Sequence, residues 1–218
     1  MTDPLAALAL GFGLGLRHAT EPDHVAAVST MATGAASLRD AGRIGVLWGL
    51  GHSATVLMVG MTVLALGRAV PSELARLLEG VAGAMLLGLA AWALLARRRT
   101  PHAPRGHADG PTGRAAGDAR RSFLVGTMHG LAGSAAVALV LLAGGQRLGH
   151  GVAYLLTFGA GTTLGMGLLA AVLARAIAAV AARGGGTAPR RLVRRVRTAS
   201  AVVSAALGAA LVAGAVRG

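Results

Sequence analysis

Histidines and carboxylates stand here where an apolar chain has least use for them. The segment Arg17-His18-Ala19-Thr20-Glu21-Pro22-Asp23-His24 interrupts one apolar run, while Leu50-Gly51-His52-Ser53 and Met128-His129-Gly130 lie within two others. Two imidazoles beside one or two carboxylates form a donor set suited to Ni²⁺, Co²⁺, Zn²⁺ or Mn²⁺. Each charge at the centre of a lipid-spanning helix costs about 2.5–3.5 kcal/mol, so Arg17, Glu21 and Asp23 must find partners or water. An ion pair of Arg17 with Glu21 or Asp23 would account for the charges but not for the two histidines beside them. On a regular helix, at about 100° per residue, Asp23 and His24 would point roughly 140° and 240° away from His18. Pro22 changes this, because it has no N–H for the His18 carbonyl and its ring presses against that carbonyl. A kink or break at Pro22 is therefore expected to bring the donors together, as discontinuous helices do in transporter sites.

The elements that must hold these groups are membrane helices. Of 218 residues, 54% are hydrophobic and 13% charged, the mean hydropathy is +0.64 and aromatics make up 3%. That excludes a soluble globular domain, which carries about 25% charged residues. Six apolar stretches approach the ~20 residues a span requires: about Pro4–Thr33, Ile44–Leu66, Leu74–Ala96, Ser122–Ala143, Gly151–Ala174 and Thr198–Val216. The expected fold is all-α and polytopic. Most of the 34 glycines fit close helix contacts inside lipid.

All 21 basic residues are arginines, and they set the orientation. Fifteen fall in the linkers after spans one, three and five, against four on the opposite side. The positive-inside rule places the first group in the cytoplasm and both termini outside; the Arg-rich, Lys-free composition fits a prokaryotic cytoplasmic membrane. The net charge of +13 thus reads as topology and not as a nucleic-acid footprint. With no cysteine, disulfides and thiolate metal sites are excluded. His102 and His107 lie in a linker whose seven arginines would repel a cation, so that linker reads as solvated chain.

A repeat runs through the chain. Gly15-Leu16-Arg17-His18 matches Gly126-Thr127-Met128-His129; 34 residues after His18 and 33 after His129 follow Gly49-Leu50-Gly51-His52-Ser53 and Gly159-Ala160-Gly161-Thr162-Thr163. The expected organisation is a three-helix repeat over 1–96, a polar Arg-rich cytoplasmic loop over 97–121 and a second three-helix repeat over 122–218. An odd number of spans per unit inverts the second copy, and inverted repeats place a transport site at their interface. Carboxylates occur only in the first copy, so the site should be asymmetric. Glu21, His129, Ser53, Ser134 and Thr162 join the core residues as candidates for the metal or its path.

His18-x4-Asp23-His24 in an early span, followed by Leu50-Gly51-His52-Ser53, resembles the nickel/cobalt transporter family. The His-Gly-Leu-Ala-Gly-Ser stretch from His129 to Ser134 is similar to its short six-span branch of urease accessory membrane proteins. The resemblance covers the whole chain and implies that His18, Asp23 and His24 recognise metal, with His52 contributing to the path. Longer members carry an acidic, Thr-rich motif where this chain has Met128-His129-Gly130.

The expected function is transport of Ni²⁺ or Co²⁺ as substrate, with no permanently bound cofactor. The alternative is export of a small anion or amino acid, with Arg17 holding an anion. No Gly-x4-Gly-Lys-Ser/Thr motif points to ATP, and no His-Glu-x-x-His or His-box pattern points to an enzyme. Expected partners are the metal ion and the bilayer, with a homo-oligomer and a nickel-enzyme maturation system as further candidates.

Overall fold

The computed structural model describes residues 4–32, 35, 37–67, 70–95, 119–131, 148–183 and 188–217. Among them are seven helices and no strand: α1 Pro4–His18, α2 Pro22–Ala32, α3 Leu38–Leu66, α4 Ser72–Leu95, α5 119–131, α6 Leu148–Arg183 and α7 Ala188–Arg217. Four are long and apolar enough to cross a membrane: α3, α4, and the portions Gly149–Val180 of α6 and Arg194–Arg217 of α7. The chain is thus a polytopic helical membrane protein. The expected fourth span is described only as far as residue 131, and the loop holding His102 and His107 lies outside the described residues.

The expected first span is two helices. α1 and α2 have 15 and 11 residues, about 22 and 16 Å at 1.5 Å per residue, each short of the ~30 Å hydrocarbon core. The chain leaves α1 through tight turns: Thr20 N–H donates to the Arg17 carbonyl at 2.9 Å and Glu21 N–H to the His18 carbonyl at 3.1 Å. The His18 carbonyl, which Pro22 cannot serve, is thereby satisfied one residue early. Pro22 then opens α2, a position where its missing N–H leaves no bond unmade. α3 starts at the N-cap Ser37, whose hydroxyl accepts from Asp40 N–H at 3.1 Å, and it stops at Gly67 with φ of 61°.

α6 and α7 are longer than the apolar pattern suggests, running to Arg183 and from Ala188. The alanines between Ala174 and Ala182 are strong helix formers and carry α6 on, and Pro189 suits the first turn of α7.

The helices meet on glycine. α1 lies on α6, α3 on α6, and α4 on α7. A methyl group at Gly15 would collide with the Phe158 carbonyl of α6, and one at Gly161 with the Phe12 carbonyl of α1. Between α3 and α5 the pattern recurs, with Gly51 over the Phe123 carbonyl and Gly126 over the Trp48 carbonyl. Trp48, Leu86, Met166 and Ala170 fill the largest buried cluster. Leu156, Val172 and Val202 are exposed on the outside, where lipid tails would cover them.

Candidate metal centre

The break between α1 and α2 brings together donors that one straight helix would separate. His18 closes α1, Asp23 and His24 are the second and third residues of α2, and α3 supplies His52. Asp23 engages two histidines at once: Oδ1 accepts from His24 Nδ1 at 2.9 Å and Oδ2 from His129 Nε2 at 3.0 Å. His18 donates through Nδ1 to Glu21 Oε2 at 3.0 Å, and its Nε2 lies 3.1 Å from Nε2 of His52. A carboxylate can only accept, so the ring nitrogens facing Asp23 and Glu21 carry the hydrogens and the opposite nitrogens carry lone pairs.

Those lone pairs are enclosed. His24 and His129 are 1% and 2% exposed, and their lone-pair atoms Nε2 and Nδ1 are buried with no partner among the described residues; the same is true of Nδ1 of the fully buried His52, which faces no carboxylate. Leaving a buried polar atom unsatisfied costs about 1–3 kcal/mol, and a cation at His24 Nε2 would remove that cost there. The donors form two sets sharing His24: His18, His24 and His52, and Asp23, His24 and His129, the donor atoms of each lying within 4.8 Å of one another. The rings pack edge to face, with centroids of His18 and His24 at 4.4 Å and of His24 and His129 at 4.5 Å. Outward, the cluster opens through Asp23 and Glu21, whose side chains are 29% and 51% exposed.

Two aromatic walls were not anticipated from sequence. Trp48 is fully buried with its ring 5.5 Å from those of both His24 and His129, and Phe158 lies 5.3 Å from His18. Their signal was positional, since each stands four residues before a candidate, His52 or Thr162, and so shares its helix face.

The other candidates bond to groups outside the cluster or lie outside the described residues. Ser53 Oγ donates to the Gly159 carbonyl at 3.0 Å and lies 3.2 Å from Thr163 Oγ1, tying α3 to α6. Thr162 is buried and donates within α6 to the Phe158 carbonyl at 2.9 Å. Arg17 is exposed and makes no ion pair among the described residues; Glu21 and Asp23 pair with histidines instead. Ser134 lies outside the described residues.

The family described as "High-affinity nickel-transport protein" matches residues 5–100, the stretch that contains the break and His52. A urease accessory protein, UreH of Bacillus sp. (strain TB-90), is 38% identical over 169 residues, covering 75% of this chain and 74% of the relative. The chain belongs to the nickel/cobalt transporter family, in its urease-accessory branch. No solved structure matches it. As a member of that family it is a multi-pass membrane transporter whose cargo class is a metal ion.

Proposed function

We propose that this family member carries Ni²⁺ or Co²⁺ across a prokaryotic cytoplasmic membrane, with His18, Asp23, His24 and His52 forming the recognition site and His129 completing it. The observation that carries the reading is the convergence of four histidines and Asp23 on one enclosed cluster at a helix break. Two ligand nitrogens bonded to one ion at about 2.0–2.1 Å stand roughly 2.9–3.4 Å apart for angles of 90–109°. The 3.1 Å between His18 Nε2 and His52 Nε2 fits that range. The ion is cargo, and no permanently bound cofactor is required. The anion alternative has no such support, because Arg17 makes no ion pair with the cluster among the described residues.

We read the architecture as six spans in two inverted three-helix repeats, with both termini outside. Pairing Gly15 with Gly126 and Gly51 with Gly161 turns each glycine seam into the other: Phe158 maps to Trp48, Phe12 to Phe123 and Leu16 to Thr127, and each pair occupies the same place in its seam. The pairing also sets Phe158 against His18 at 5.3 Å beside Trp48 against His129 at 5.5 Å. Ser53 and Thr163, equivalent to each other under the same pairing, touch at 3.2 Å. The relative's name motivates a link to urease maturation, with nickel delivered to that enzyme's assembly.

Reconstitution into liposomes tests the proposal. Inward Ni²⁺ flux should appear with wild-type protein, compete with Co²⁺, and fall at least tenfold in His24→Ala. Flux that is absent in wild type, or unchanged in the variant, refutes it.

A further inference from the structure

The hydrogen bonds around the cluster divide its members into two kinds. His18 and His24 each present Nδ1 to a carboxylate, Glu21 at 3.0 Å and Asp23 at 2.9 Å. Both rings are thereby held in the form that leaves Nε2 as the lone-pair atom. His18 Nε2 faces His52 Nε2 at 3.1 Å, and His24 Nε2 is buried without a partner among the described residues. Both Asp23 oxygens are already held by ring N–H groups, the second by that of His129 at 3.0 Å. Carboxylates placed behind ligating histidines orient the rings and raise their basicity.

We propose that the ion is bound directly by three imidazoles, His18, His24 and His52, while Glu21 and Asp23 are positioning residues that stand behind the rings and do not touch it. His129 serves the same purpose one step further out, pinning the free oxygen of Asp23. The inference rests on the metal-transport reading and assigns roles within that site. Two features of transport follow from it. The two carboxylates balance a divalent charge from a distance, so the ion is stabilised without an anionic bond that must break on release. A nitrogen-only protein set also favours Ni²⁺, Co²⁺ and Zn²⁺ over Mg²⁺ and Mn²⁺, which prefer oxygen. His52 has no carboxylate behind it, and its Nδ1 is buried without a partner among the described residues, which leaves it the least constrained of the three ligands.

The test uses the full chain in detergent, with Co²⁺ as the probe and its visible ligand-field bands as the readout beside its affinity. Asp23→Asn and Glu21→Gln should leave band positions and intensities as in wild type while weakening affinity about 10–100-fold, and Asp23→Glu should recover part of the loss. His18→Ala and His24→Ala should change the bands or abolish them. Bands that move in Asp23→Asn or Glu21→Gln, as the loss of an oxygen ligand requires, overturn the assignment. Glu21 is half exposed, so Glu21→Gln should fold even if an Asp23 variant does not, and melting without metal checks both. A wild-type protein that binds no Co²⁺ or Ni²⁺ sinks the metal-transport reading itself, an outcome distinct from shifted bands in a variant.

Discussion

His24 is the residue on which the proposed site turns, because it belongs to both donor sets and its Nε2 has no partner among the described residues. An ion at ~100 times its dissociation constant adds about 2.7 kcal/mol to the folded state. Ni²⁺ should therefore raise the melting temperature of wild type and leave that of His24→Ala unmoved, which a thermal scan in detergent reads directly. Acid should oppose binding. A ligating imidazole must be neutral, so protons and the ion compete for the same nitrogens. Ni²⁺ affinity should thus fall as the pH is lowered, which titration calorimetry over a pH series measures. Trp48 offers a local reporter, its ring 5.5 Å from those of His24 and His129. Ni²⁺ should quench its fluorescence in a Trp92→Phe protein, and Trp48→Phe should remove the response.

The glycine seams decide whether the elements can carry the donors at all. Gly15→Ala or Gly126→Ala would drive a methyl into a facing carbonyl, whereas Gly13 has nothing within 4 Å of its added methyl. Overpacking of this kind costs about 1–3 kcal/mol, so the first two variants should melt several degrees below wild type and Gly13→Ala should match it. The break at Pro22 was legible in the sequence because one missing N–H and one ring clash have local consequences. The lengths of α6 and α7 were not, since hydropathy marks where lipid ends and not where an alanine-rich helix does. At the proposed site, the residues that converge were legible from polar groups placed inside apolar sequence. Their pairing was not: that Glu21 turns to His18 and not to Arg17 depends on a backbone turn of three residues, and that Asp23 reaches His129 depends on a contact 106 positions away.

For the whole molecule, the proposed orientation has a direct check, because a chain with no cysteine offers no background to a thiol label. Ser72→Cys, at the start of α4, should react with an impermeant maleimide on intact cells. Arg191→Cys, on the first turn of α7, should react only after the membrane is opened; the reverse pattern would invert the topology. Trp92 near the end of α4 lies under Arg121 of α5, 5.1 Å from guanidinium carbon to ring centre, a pairing suited to the headgroup boundary on the Arg-rich side. Mutational tolerance should follow from the seams. In most soluble proteins a core of bulky residues resists change while small surface residues drift. Here Leu156, Val172 and Val202 look outward to lipid and can exchange among apolar types, while Gly83 and Gly208 each hold the other's carbonyl within 2.7 Å of where a methyl would sit. A saturation library selected for metal transport should accordingly tolerate change at its largest side chains and reject it at its smallest.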